Sequence, residues 1–360
     1  MRGKKLGGVL LAAAVAAAGL WGLTCLLVPK YTGRVVEGNF TAEYYREESP
    51  HDVLILGDCE AYENISPVTL WREYGITSYI RGNAQQLMSQ SYYLLKDALR
   101  EEKPETVILS ISAMQQAEQS NETYNRMTLD GMRWSREKLE AILASRMEGE
   151  HLIEYVFPLL RFHSRWEELG GEDLTWFADR PLVTHSGYYM RADVRPAGTF
   201  PAERRRSNYE FEEKAYEYLD RIRGLCEEEG IALILFKAPS LYPVWYDQWD
   251  MQIEEYAKAH GLAYLNALEE IDAIGIDFSE DTYDGGLHMN VYGAEKVSRW
   301  LGPVLQKQFD VPDRRGDAAL SAVWEAKAAR YDAEKQSQEE EFARLGYLTR
   351  FSGDETGASD

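Results

Sequence analysis

The chain has 360 residues, 45% of them apolar and 12% aromatic, which suits one large domain with appendages and excludes disorder over most of the length. With 60 acidic against 39 basic residues the formal net charge is -21, which excludes nucleic acid as a partner unless a basic face is segregated from the rest. The densest basic cluster, Arg204-Arg205-Arg206, is short, sits beside Glu203 and reads as a solvated loop.

Arg2, Lys4 and Lys5 precede an apolar run from Leu6 to Val28 of about 23 residues, long enough to span a bilayer as a helix. Ala16-Ala17-Ala18 resembles a signal-peptide cleavage site, but Leu20-Trp21 and Leu26-Leu27-Val28 carry the apolar run past it, so residues 1–30 read as a retained anchor. Positive charge before the run predicts a cytoplasmic amino terminus, which makes this a single-pass cell-membrane protein with an extracytoplasmic body. Residues 31–50 read as a polar stalk.

The body, residues 51–310, opens on Val53-Leu54-Ile55-Leu56, a buried strand broken by Gly57-Asp58-Cys59-Glu60. Pro67 to Tyr74 is a predicted helix with Ser66 as N-cap, and Thr77 to Ile80 a second strand ending in Arg81-Gly82-Asn83. Helix Gln86 to Glu101 and strand Thr106 to Ile111 follow. Strand, helix, strand, helix, strand predicts an α/β fold with a parallel sheet and right-handed crossovers. Residues 112–208 then contain helical pieces at Arg136 to Arg146 and His151 to Arg161, glycine breaks at Gly170-Gly171 and Gly187, and no clear strand. They read as an insertion over the carboxyl edge of the sheet, where a lid or substrate platform would sit.

Helix Tyr209 to Glu229, strand Ile231 to Phe236, helix Trp249 to His260 and strand Ala263 to Asn266 resume the alternation. A loop from Asp277 leads to His288, and Asn290 caps a helix from Val291 to Gln308. Residues 311–360 read as a charged helical extension with a disordered tail from Ser352.

Chemistry belongs at the carboxyl ends of parallel strands, and Cys59 stands there. Three cysteines, Cys25, Cys59 and Cys226, are too few for a disulfide framework, and a single Cys59–Cys226 bridge is the plain alternative to a reactive thiol. A nucleophilic thiol needs a base or a field that lowers its pKa, whereas the flanking carboxylates Asp58 and Glu60 would raise it. Of six histidines, His288 is the one on the same predicted rim, and Asp284, with Asp281 in reserve, is placed to orient it. Oxyanion donors are expected from the backbone N–H groups of Cys59 and Gly82, with the Asn83 side chain beside them. With no second histidine near Asp281, Asp284 and His288, no metal is expected, and no other cofactor. Tyr242, Trp245, Tyr246 and Trp249 form either a sugar-stacking face or part of the core.

The ordered set resembles the SGNH/GDSL hydrolase superfamily. Gly57-Asp58-Cys59 is similar to its Gly-Asp-Ser block with cysteine for serine, Gly82 to its glycine oxyanion donor, and Asp284 to His288 to its Asp-x-x-His block with one extra residue. Where the third block has asparagine, Ser112-Ala113-Met114 stands instead. The resemblance implies a flavodoxin-like three-layer fold, with Cys59 either as nucleophile or as the mark of a site that has lost hydrolysis. The anchor, the absent asparagine and Lys237-Ala238-Pro239 narrow it to the envelope branch, which includes the alginate O-acetylation proteins and the D-alanyl-lipoteichoic acid biosynthesis protein. That likeness implies acyl transfer or ester hydrolysis on a cell-surface glycopolymer beside a membrane-bound O-acyltransferase. The alternative it leaves is a degenerate protein of the same fold that binds glycan or docks on the acyltransferase.

Overall fold

The computed structural model describes residues 2–29, 40–171, 173–174, 181–198, 202 and 204–351. The stalk residues 31–39 and the tail from Ser352 lie outside the described residues.

Five strands form one sheet: β1 (Val53–Gly57), β2 (Ser78–Gly82), β3 (Thr106–Ser110), β4 (Ala232–Lys237) and β5 (Ala263–Asn266). Their order is β2-β1-β3-β4-β5 and every pair is parallel, so all five carboxyl ends reach one rim. A parallel sheet is covered on both faces, which is why β1 and most of β4 are continuous apolar runs and every residue of β1, β2 and β3 is buried. Val53 and Ile55 face a core shared with helices Pro67–Tyr74 and Val291–Gln308, while Leu54 and Leu56 face helices Met88–Ala98, Glu213–Glu229 and Asp247–His260. Local signals set the helix ends. Ser66 Oγ accepts from Thr69 N at 3.2 Å, Pro67 opens that helix, and Gly75 closes it at φ 68°.

The described residues between 112 and 208 do not form a detached lid over the rim. Helix Arg136–Ser145 packs on Met88–Ala98 through Ala141 and Ile142, with Lys96 and Glu140 paired at 3.0 Å. The predicted helix from His151 to Arg161 is split at Pro158 into Leu152–Val156 and Leu159–Phe162. From Val183 to Ala197 the chain is an extended strap threaded into the core. Ile80 N donates to Ser186 O, Tyr189 N to Tyr62 O, Val291 N to Arg191 O and Arg195 N to Thr282 O. Gly187 lies over β2 at φ 85°, and a Cβ there would come within 2.0 Å of Ile80 O, so only glycine fits.

Two further readings change. Residues 40–50 are built into the body rather than a stalk: Phe40 and Tyr44 are buried, and the Glu43 carboxylate accepts from Val183 N, Thr184 N and Thr184 Oγ1 at 2.6, 3.0 and 2.6 Å. The carboxyl-terminal helix, Ala318–Leu345, is likewise docked on the body. Trp324 is fully buried and stacks on Trp71 at 5.4 Å, and Gln338 Oε1 accepts from Ala192 N of the strap at 2.9 Å.

Apart from the body, helix Arg2–Leu27 contains one segment, Leu6–Leu27, with mean hydropathy 2.1 over its most apolar window, long and apolar enough to cross a membrane.

If the last helix is part of the fold, Trp324→Ala lowers the unfolding free energy of the full chain by about 3–5 kcal/mol. Trp134→Ala, at an exposed position, changes it by less than about 0.5 kcal/mol. Urea denaturation of both variants reads the difference.

Candidate active site

β1 ends at Gly57, where an added Cβ would come within 2.4 Å of Ser110 Cβ, so the chain turns out of the sheet tight against β3. The turn lies where the strand order reverses, since the chain runs from β1 outward to β2 and then back to β3 on the other side. Asp58 caps the short helix Cys59–Tyr62, its Oδ1 accepting from Glu60 N at 3.1 Å and from Ser112 Oγ at 2.7 Å. Ser112, standing where the family pattern has asparagine, is thus spent on holding Asp58, with Ser110 Oγ 2.8 Å behind it.

Glu60 turns away from the thiol into the core. Lys237 Nζ, at the end of β4, donates to both Glu60 oxygens and to Ala238 O, each at 2.9 Å. Both side chains are buried, so the pair locks the helix that begins at Cys59 to β4; removing either partner alone would strand a buried charge.

The histidine loop is organised by Asp284. Its Oδ1 accepts from Leu287 N at 3.1 Å and His288 N at 2.9 Å, and its Oδ2 lies 2.7 Å from His288 Nδ1. The extra residue relative to Asp-x-x-His is absorbed by Gly285 and Gly286, both at positive φ, while Thr282 Oγ1 accepts from Gly286 N and donates to His288 O at 2.8 Å each. When the ring is neutral, an Nδ1–H directed at Asp284 puts the lone pair on Nε2; the protonated ring that the neighbouring carboxylates favour carries a proton there instead. Nε2 is buried without a partner at good hydrogen-bond geometry, although the Cys59 thiol lies close enough to interact with the imidazole by charge and by a hydrogen bond. The thiol–imidazole contact is therefore loose, as such contacts often are before substrate binds.

Asn64 joins the two halves. Its Nδ2 donates to Glu60 O at 3.0 Å, and its Oδ1 accepts from Met289 N, next to His288, at 2.7 Å.

The structure brings Cys59, His288 and Asp284 together and sets Gly82 beside Gly57 at the rim. A Cβ on Gly82 would meet Gly57 O at 3.0 Å, so glycine keeps the two strand ends close. Asn83 is not aimed at the thiol: its amide donates to Thr41 Oγ1 at 2.9 Å and Gln86 Oε1 at 3.3 Å. Trp245 and Trp249 are 8% and 5% exposed and offer no open face to a sugar. Trp249 stacks on Phe211 at 5.8 Å with the Arg206 guanidinium 5.1 Å away, and Trp245 Nε1 donates to Asp250 at 2.9 Å. Cys226 is a buried free thiol, so Cys59 is not in a disulfide. Asp281 pairs with Lys296 at 2.6 Å and plays no part at His288. Among the described residues no group of three or more His, Cys, Asp or Glu side chains is arranged to hold a metal ion.

Glu63 and Tyr283 were not expected here. Tyr283 donates to Glu63 and lies 3.2 Å from His288 Nδ1, while Glu63 Oε2 is 3.5 Å from the same atom. Glu63 follows Cys59 by four residues, a spacing that puts both on one helical face, and that was the signal in the sequence.

These carboxylates govern the electrostatics. Burial pushes the Cys59 thiol up to about 12; His288 opposes this, and Asp58 and Glu63 add to it. Burial works against protonating His288, but Glu63, Cys59 and Asp284 outweigh it and hold the imidazole well above its ordinary value. At rest the site therefore holds a neutral thiol, contrary to the lowered pKa that an activated cysteine has.

The expected proton linkage follows. Cys59 alkylation by iodoacetamide is slower at neutral pH than that of an ordinary thiol and accelerates through the alkaline range. Asp58→Asn keeps a capping oxygen and removes a charge, so it moves the profile to lower pH. Peptide mass spectrometry of Cys59 labelling against pH measures both; a wild-type midpoint at or below about 8.5 contradicts the geometry.

Compared with family models, with curated proteins and with solved structures, the chain has no match, and the reading of this site rests on its own residues.

Proposed function

We propose that this is a membrane-anchored, extracytoplasmic acyl-transfer protein with a flavodoxin-like fold of SGNH type, acting on a cell-envelope glycopolymer or its lipid-linked precursor. The observation that carries the reading is the 2.7 Å bond from His288 Nδ1 to Asp284, with the Cys59 thiol near enough to interact with the same ring, at the carboxyl rim where the strand order reverses. The order β2-β1-β3-β4-β5 supports the fold assignment, and the apolar helix supports the anchor.

In this reading Cys59 Sγ attacks the donor's acyl carbonyl while its proton passes to His288 Nε2. The carbon–heteroatom bond breaks, and the leaving group takes that proton. A thioester remains on Cys59. An acceptor hydroxyl then attacks the thioester carbonyl, giving its proton to Nε2, and the sulfur leaves and is reprotonated from the imidazolium. Asp284 holds the ring and stabilises its charged form, and the N–H groups of Cys59 and Gly82 receive the oxyanion. A membrane-bound O-acyltransferase is the proposed donor partner.

The raised thiol pKa favours a second reading, a catalytically degenerate protein that binds glycan or docks on the acyltransferase. With Trp245 and Trp249 buried, that reading has to place its glycan elsewhere.

The two separate on Cys59 itself. In native membranes making the polymer, the acyl-transfer reading expects a hydroxylamine-labile mass increment on the Cys59 peptide, lost in Cys59→Ala together with polymer acylation. Asp284→Asn slows acylation on the order of 10²–10⁴-fold, since it spoils the tautomer. Full acylation in Cys59→Ala leaves the binding reading standing.

A further inference from the structure

Helix Arg2–Leu27 is bare over most of its length, with Val9, Leu10, Leu11 and Val15 exposed, but its last turn is covered and Leu27 is buried. What covers it is the segment from Leu159 to Glu168, which continues the short helix Leu152–Val156. Arg165 Nη1 donates to Leu27 O at 3.1 Å, satisfying an orphan carbonyl of the helix end, and its other Nη pairs with Asp173 at 2.9 Å. Beside this joint the chain exposes Ile153, Val156, Phe157, Leu160, Trp166 and, just beyond, Leu174, with Phe157 57% and Trp166 64% exposed. A cluster of that size on a soluble face is costly. Its position supplies the occupant: residues packed on the last turn of a bilayer-spanning helix sit at the level where the helix leaves the hydrocarbon. Tryptophan and long cations are favoured there, the ring at the headgroups and the guanidinium reaching out of the apolar layer.

We infer that Leu152–Gly171, together with Leu174, forms a lipid-facing platform that lies in the outer interface of the membrane crossed by helix Arg2–Leu27 and fixes the body against the bilayer. Two contacts tie the platform to the rim that carries Cys59. Arg161 pairs with Glu122 at 2.5 Å, and Met127 on the helix that Glu122 begins packs with Ala84, next to the end of β2. The body is thereby held in one orientation on the surface rather than swinging on a tether, with the platform and the carboxyl rim on connected elements. The inference rests on the anchor part of the proposed function and not on the chemistry at Cys59.

The test uses the full chain in phosphatidylcholine–phosphatidylglycerol vesicles, with and without brominated acyl chains, and reads tryptophan emission. Trp21→Phe gives the signal of a residue on the apolar helix and Trp134→Phe that of an exposed residue on the body. The emission lost in Trp166→Phe reports Trp166. Quenching of that emission by brominated lipid and not by aqueous iodide, as for Trp21, is expected. Quenching by iodide alone, as for Trp134, overturns the inference. Protection from both quenchers also overturns it, since a protein surface then covers the platform. If the Trp21 emission is itself not quenched by brominated lipid, the anchor reading fails first and the platform with it.

Discussion

A parallel sheet must be covered on both faces, because its strands carry apolar side chains on either side and its crossovers need helices to run back along it. Most of the architecture follows from that constraint. The helix between Cys59 and β2 covers one face, the helix between β2 and β3 the other, and the strap and carboxyl-terminal helix complete the first layer around Tyr188 and Tyr331. Since every strand runs the same way, every strand end and the turn after it reach one rim. Residues separated by more than two hundred positions, such as Cys59 and His288, thus meet without either needing a special local sequence.

How much of this could be read from the chain depended on where the ordering information lay. The five strands were legible because each is a short β-branched or apolar run closed by a turn residue, and all five appear within a residue or two of their expected bounds. Asp284 with His288 was legible because the carboxylate sits one turn before the imidazole and before a capped helix. The strap was not legible. Its backbone bonds go to single residues scattered from Tyr62 to Val291, and no period marks such a path. The last helix looked like an appendage because charges are spread along its 28 residues, while four buried positions, Trp324, Ala328, Tyr331 and Gln338, decide its docking. The role of Asn83 was misplaced because a rim position says nothing of side-chain direction, and its amide turns to Thr41. The aromatic group around Trp249 has the composition of a sugar platform and of a core alike, and only burial distinguishes them.

The electrostatics of the site separate geometry from reactivity. A cysteine beside an oriented histidine has the form of a nucleophile, yet burial, Asp58 and Glu63 favour the neutral thiol, and Glu63 and Asp284 hold the proton on the imidazole. Such a site is quiet until something alters the field. A bound ligand that displaces water and places positive charge or hydrogen-bond donors near Glu63 would weaken that field at the sulfur. Lys237, buried at the end of β4, is already committed to Glu60.

The strap over β2 has a bearing on solution behaviour as well. Edge strands with free N–H and C=O groups invite a neighbouring chain to extend the sheet, and proteins guard against this in various ways. Here the guard on β2 is the chain itself: Ser186 takes the Ile80 N–H, and the glycine after it lies flat on the Ile80 carbonyl with no room for a side chain. The opposite margin, β5, is only four residues long. Growth of the sheet by strand addition is therefore blocked at Ile80 on one side and limited to a short overlap on the other.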